Sequence, residues 1–182
     1  ELKGGSAEQQ QIFYTALYHT MIHPNVVNDA DGTGNPNLST ISTWDTFRSW
    51  LPLAALTDTA MLRHATETMI NHYRSPYKSI IVWGMIGYHE VAYFLEALRC
   101  GCLPCSPEEA LEAMMAASNG RRKGLADYRE LGFIPSDKHR ESVSCVLEYA
   151  YDDWCIAEFA KAIGNDSIAQ KYYLRSQNYV NV

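Results

Sequence analysis

The chain has 182 residues, with 15 Lys or Arg against 21 Asp or Glu and a formal net charge of −6. That length supports one domain with a real core. The acidic balance excludes a binder of nucleic-acid backbones, which would need clustered Lys and Arg; Arg121-Arg122-Lys123 is the one basic cluster and reads as a loop or helix start.

No apolar run reaches transmembrane length, and Glu1-Leu2-Lys3 is not the n-region of a signal peptide. Neither a nucleic acid nor a membrane is therefore expected as a partner. Twelve Tyr, four Trp and five Phe suit stacking on flat ligands or sugar rings, and they suit a helical core equally well.

Taken in order, the chain reads as helix after helix. Ser6-Ala7-Glu8-Gln9 is a capping box. Behind it, Ile12, Phe13, Ala16, Leu17 and Met21 recur at helical spacing until His23-Pro24-Asn25 ends the pattern. The next stretch, 28–36, is rich in Asn, Asp, Gly and Pro, which is turn chemistry. Asn28-Asp29-Ala30-Asp31-Gly32 echoes a calcium loop, but Ser39 stands where the bidentate Glu is required, so an ordinary loop is expected.

Thr43-Trp44-Asp45-Thr46-Phe47-Arg48 opens a helical pattern towards Leu56, and Thr57 starts another that runs through Tyr73 with Met61, Leu62, Ala65, Met69 and Ile70 on one face. Ile80 to Trp83 is a short β-branched run, read as an extended connector. Gly84 to Gly87 leads through Tyr88-His89-Glu90 into a helix that Gly101 stops. Ser106-Pro107-Glu108-Glu109 is a strong helix start. Leu125 to Leu131 is a short helix closed by Gly132. A long one runs from Ser142 to Ile163 with Gly164 as its left-handed cap, and Ser167 starts the last, which fades at Asn178.

About seven or eight helices result, with no convincing strand and no repeat of the roughly 34-residue tetratricopeptide kind. The fold class is all-α. A closed toroid of six helical hairpins needs about twelve helices of ordinary length, more than this chain holds, so it is either a bundle or an arc of something larger.

Two clusters carry possible chemistry. Cys100, Cys102 and Cys105 form C-x-C-x2-C, but no fourth zinc ligand lies at suitable spacing, which leaves a loop disulfide or free thiols; Cys145 and Cys155 read as small core residues. The other is Glu148-Tyr149-Ala150-Tyr151-Asp152-Asp153-Trp154, three carboxylates inside an apolar-periodic helix. Glu148 and Asp152 share a helix face at i,i+4 and repel. Acids wedged against a core need cationic partners, donors, a metal or a raised pKa; amides of a neighbouring helix would serve. Two sequons, Asn37-Leu38-Ser39 and Asn165-Asp166-Ser167, matter only on a eukaryotic secretory route.

Several blocks carry a resemblance. They are Phe13 to Thr20 with His23-Pro24-Asn25-Val26, Ser42-Thr43-Trp44-Asp45-Thr46-Phe47-Arg48, Met85-Ile86-Gly87-Tyr88-His89, Ser142 to Ala157 around Tyr151-Asp152-Asp153-Trp154, and Arg175-Ser176-Gln177-Asn178-Tyr179. In this order they resemble the catalytic domain of glycoside hydrolase family 92, the calcium-dependent α-mannosidases, and they cover nearly the whole chain from Phe13 onward.

The resemblance implies an (α/α)6 toroid, here one unclosed part of it. Residues 1–182 are then a single helical domain and a fragment of a larger catalytic domain. It also implies a secreted or extracytoplasmic exo-enzyme that removes terminal α-1,2-linked mannose from glycans with inversion. An inverting enzyme sets a general acid and a general base far enough apart to admit a water.

In the family the acid lies in a Glu-Gly-Asn-x-Trp-Gln motif and the base in an Asp-x-Asp setting. Both come after the point where this sequence ends, as does an Asn-Glu-Pro segment tied to calcium. The chain alone is therefore expected to be inactive and not to coordinate calcium fully. The stretches after Gly32 and between Trp83 and Gly84 look shortened, the latter lacking an Asn-Glu-Thr segment.

By resemblance, Trp44 and Asp45 contact the terminal mannose. A carboxylate accepts from two vicinal hydroxyls, and an indole offers a flat face and one donor. Asp152 and Asp153 are not the family's catalytic pair; with Glu148 and His89 they are read as residues behind the site or as structural, and His89 as a satisfied core histidine. The alternative function is a non-catalytic helical module that binds a glycan or a protein. A part of a toroid leaves apolar helix faces uncovered, so self-association is expected.

Overall fold

The computed structural model describes residues 2–27, 37–39, 41–82 and 85–182. The calcium-loop echo at 28–32, the shortened stretch after it and Trp83-Gly84 lie outside these. Among the described residues there are nine α-helices, no strand and one isolated antiparallel bridge, Val26 to Leu38.

Helix α1 (Ala7–Thr20) starts at the expected capping box: the Gln9 amide donates to Ser6 Oγ at 3.2 Å, and Gln9 Oε1 accepts from the Ser6 amide at 2.8 Å. None of its residues is buried. The run expected from Thr43 to Leu56 is two helices, α2 (Thr43–Thr46) and α3 (Trp50–Thr57), separated by Ser49 at φ −135° and ψ −62°. Pro52 is the reason. In one continuous helix its ring would meet the Arg48 carbonyl, whereas in the first turn of a new helix its missing N–H leaves no bond unmade. Asp58 then caps α4 (Thr59–Arg74), accepting from the Met61 amide at 3.0 Å, so that helix starts two residues after Thr57.

Helix α5 (Glu90–Arg99) is the central element. Seven of its ten residues are buried, and it packs on α4, α3 and α8. Helices α6 (Pro107–Ser118) and α7 (Leu125–Leu131) follow, the first capped by Ser106 Oγ at 3.2 Å from the Glu109 amide. Gly124 and Gly132 bracket α7 in left-handed conformation, and a Cβ on Gly124 would stand 2.7 Å from Ile134 Cγ2. The long α8 (Ser142–Ala162) turns at Gly164, φ +78°, into α9 (Asp166–Ser176) and a last 3₁₀ turn (Gln177–Asn181); α8 and α9 form the most extensive helix pair.

Part of the aromatic content is core. Tyr88, Tyr93, Tyr128, Tyr149 and Tyr172 are fully buried. Each hydroxyl is bonded: Tyr93 to Thr46 at 2.5 Å, Tyr149 to the Lys123 carbonyl at 2.7 Å, Tyr172 to Ser118 at 2.6 Å, Tyr88 and Tyr128 to Asp153 at 2.5 and 3.0 Å. Burying a phenol without such a partner would forfeit much of what the ring gains. All five cysteines are free thiols, Cys145 and Cys155 buried on α8.

Candidate functional site

The three carboxylates of α8 point to two different places. Asp153 is a structural knot, fully buried. It accepts from the Tyr88 and Tyr128 hydroxyls and, in a two-pronged pair, from Arg175 Nε at 2.6 Å and Nη2 at 2.5 Å. Burial pushes this carboxyl up, and four donors from α7, α9 and the segment before α5 hold its charge in place.

Glu148 and Asp152 meet the start of α5, and Glu148 also meets α2 and the turn after it. His89 stands between them, 1% exposed. Its Nδ1 lies 2.6 Å from Asp152 Oδ1, and its Nε2 lies 3.1 Å from Glu148 Oε2, in ion-pair contact though not aligned as a hydrogen bond. Asp152 Oδ2 accepts from the Tyr88 amide at 2.6 Å. Burial alone would lower the His89 pKa, but Asp152 and then Glu148 outweigh it and raise it to about 9. An imidazolium thus answers the repulsion of two carboxylates four apart on one helix.

Glu148 reaches outward from there. Its Oε1 accepts from the Trp44 indole at 3.0 Å and from Arg48 Nη2 at 2.6 Å. Burial pushes the Glu148 carboxyl up, but His89, Arg48 and Trp44 together hold it below the usual range. The Arg48 guanidinium lies over the Phe47 ring at 4.3 Å and the Trp44 ring at 5.3 Å, and Phe47 stacks on His89 at 4.1 Å between centroids. Asp45 is exposed, and Ser42 Oγ donates to its Oδ2 at 2.5 Å.

Of the residues expected at a site, Trp44, Glu148, His89 and Asp152 form one connected chain, Asp45 follows Trp44 in sequence and is bonded to Ser42, and Asp153 is tied to Asp152 only through Tyr88. One expectation changes in detail: the indole N–H is spent on Glu148, so Trp44 offers a face and no free donor. His89 is buried, as a core histidine would be, and is also the bridge between α8 and the surface. Phe47, Arg48, Gly87 and Tyr88 take part without having been singled out. Gly87 has a clear reason to be glycine: at φ +81°, a Cβ there would stand 2.5 Å from His89 Nε2. Glu90, next to His89, is also fully buried. One oxygen accepts from the Val82 amide at 3.3 Å, the other has no partner, and burial first of all raises its pKa to about 7.

This patch is a surface of one exposed carboxylate, one half-buried indole and one half-exposed guanidinium within five residues, all held from behind by α8. It has the donors, acceptor and flat face that a polyhydroxylated ring needs. The family model of the glycosyl hydrolase family 92 catalytic domain matches residues 1–182. The chain belongs to glycoside hydrolase family 92.

Solved structures agree. An inverting mannosidase of the family from Bacteroides thetaiotaomicron is 32% identical with a TM-score of 0.90, over 100% of this chain and 28% of that one. An α-mannosidase of the family from the same organism, solved in complex with mannoimidazole, is 33% identical with a TM-score of 0.86, over 94% of this chain and 26% of that one. An uncharacterized secreted glycosidase of Arthroderma benhamiae is 25% identical over 206 residues, which is 100% of this chain and 24% of that protein. The chain thus spans about a quarter of the length of these relatives. Its all-α architecture is part of the family's helical toroid.

Calcium, implied by the family, does not fit the buried carboxylates described above. Asp152, Asp153 and Glu148 already accept from cations, amides, hydroxyls or the indole, and among the described residues no group of three or more His, Cys, Asp and Glu could hold a metal ion. An oxygen-rich calcium shell would have to displace those donors.

Proposed function

We propose that this chain is the sugar-holding part of an exo-α-mannosidase that removes terminal α-1,2-linked mannose from glycans with inversion, in a secreted protein. Residues 1–182 act as one helical domain within a larger catalytic domain, and Trp44 and Asp45 hold the terminal mannose. The carrying observation is the exposed Asp45 carboxylate beside a Trp44 indole pinned by Glu148. The carboxylate accepts hydroxyls of the ring and the indole lies against its apolar face. A secreted setting is supported by the similarity to the secreted glycosidase of Arthroderma benhamiae. Among the described residues no helix is long and apolar enough to cross a membrane.

The 182-residue chain by itself supplies binding and no turnover. An inverting reaction needs one carboxylic acid on the leaving oxygen and one carboxylate on a water. Glu148, Asp152 and Asp153 are engaged by His89, Arg48, Trp44, Tyr88, Tyr128 and Arg175 and have no free proton-transfer role. The remaining groups, and calcium, belong to the rest of the domain.

Titration of the full-length protein with mannoimidazole tests the reading. Replacing Asp45→Ala removes the exposed acceptor and should weaken binding by about tenfold or more, the scale of a charge-assisted hydrogen bond. Unchanged affinity in the folded variant would remove Asp45 from the site. Binding to a protein partner with no sugar dependence would favour the non-catalytic module instead.

A further inference from the structure

We propose that Glu148 is a positioning residue for sugar binding: from α8 it sets the Trp44 indole and the Arg48 guanidinium in place, and His89 in turn fixes Glu148. This rests on the reading of Trp44 and Asp45 as the mannose contact and adds the device that holds that contact in shape.

Three observations carry it. First, one carboxylate gathers groups from segments far apart in sequence: Trp44 Nε1 at 3.0 Å, Arg48 Nη2 at 2.6 Å and His89 Nε2 at 3.1 Å. Second, α2 has four residues and is followed by a turn, so it cannot by itself fix two long side chains. The Arg48 side chain is 50% exposed and Glu148 15%, so the anchor is the better buried partner. Third, the anchor is braced from beneath. His89 is held by Asp152 and by the Phe47 ring, and the Gly87 backbone leaves no room for a Cβ against the imidazole.

Unpinned, the indole and guanidinium would each sample several rotamers, and a sugar would have to bear the cost of ordering them. Pinned, Trp44 and Arg48 are held against each other in one arrangement before the sugar arrives. Asp152 and Glu148 face His89 from α8, with the Tyr151 ring at 6.1 Å, and Phe47 faces it from the turn after α2. Glu90 adjoins it in sequence. A charged His89 pairs with the Glu148 carboxylate and holds it in place, so loss of that charge near the raised His89 pKa of about 9 removes the ion pair and loosens the anchor.

The test is the affinity of the full-length protein for mannoimidazole, with Asp45→Ala as reference. Glu148→Gln keeps an acceptor for the indole but loses the charge that holds Arg48 and His89, and should weaken binding about 3- to 10-fold; Glu148→Ala should weaken it about tenfold or more. Thermal stability and circular dichroism are recorded alongside. The wild-type affinity should hold from pH 7 to 8 and fall between pH 8.5 and 10, a measurement that needs no variant, and His89→Gln should flatten that profile.

A purely structural Glu148 would lower the melting temperature and leave the affinity of the folded protein unchanged, and that result overturns the proposal. So does an affinity flat to pH 10. If Asp45→Ala itself has no effect, the mannose contact is misplaced; if it weakens binding while folded Glu148→Gln and Glu148→Ala do not, only the positioning role fails.

Discussion

Glu90 shows what a single buried acid does to this fold. It opens α5 with 1% exposure, one oxygen on the Val82 amide and the other unpartnered. Burial, the largest influence, raises its pKa from 4.5 to about 7, so the neutral acid is the form that fits. The native state therefore binds this proton more tightly than the unfolded chain. Its destabilising effect is absent below pH 4.5, grows as pH rises towards 7 and is constant above that. Glu90→Gln mimics the neutral acid. It should leave stability unchanged near pH 4 and raise it at pH 8, by up to about 3 kcal/mol for a shift of this size. Denaturant melts of both proteins at the two pH values check this, and an equal difference at both would mean that Glu90 is not titrating in this window. The residue scale is also where the sequence was least legible. Glu148 and Asp152 announce a charge problem by their i,i+4 spacing, but nothing local says that His89, about 60 positions earlier, answers it. Arg48 is likewise quoted in a motif without a hint of its partner 100 residues on.

Helices were more legible, because their starts and stops are written in local chemistry. Ser6, Ser106, Gly124, Gly132 and Gly164 do what their residue types dictate: serine oxygens accept from orphan amides, and glycines take positive φ. The run from Thr43 to Leu56 reads as one helix because apolar periodicity continues through it, whereas Pro52 belongs in the first turn of a second helix. Helix α1 carries a different lesson. It has a correct capping box and helical spacing, yet Ile12, Phe13, Tyr14 and Tyr18 are all exposed. Apolar residues exposed together on one helix mark a surface that another element covers. In the isolated 182-residue chain, we propose that second copies cover it. Sedimentation should give a mass above 20.5 kDa that falls to that value on Phe13→Ser with Tyr18→Ser. A monomer at tens of micromolar would refute self-association through α1.

For the molecule as a whole, the sequence carried the fold class and the family, since blocks in order along nearly the whole chain constrain both at once. What it could not carry was the pairing of those blocks in space. The Trp44-to-Arg48 block meets Glu148 of the Tyr-Asp-Asp-Trp block only because α5 and α8 pack together with His89 at their junction. The central claim is that this arrangement holds mannose for an inverting hydrolysis whose acid and base lie elsewhere in the domain. The most direct measurement is the release of mannose from an α-1,2-mannobiose, followed by NMR, from the full-length protein and from residues 1–182 alone. The account predicts that the full-length protein releases β-mannose first and that the 182-residue chain releases none. Turnover by the isolated chain, or α-mannose as the first product of the full-length protein, would contradict it.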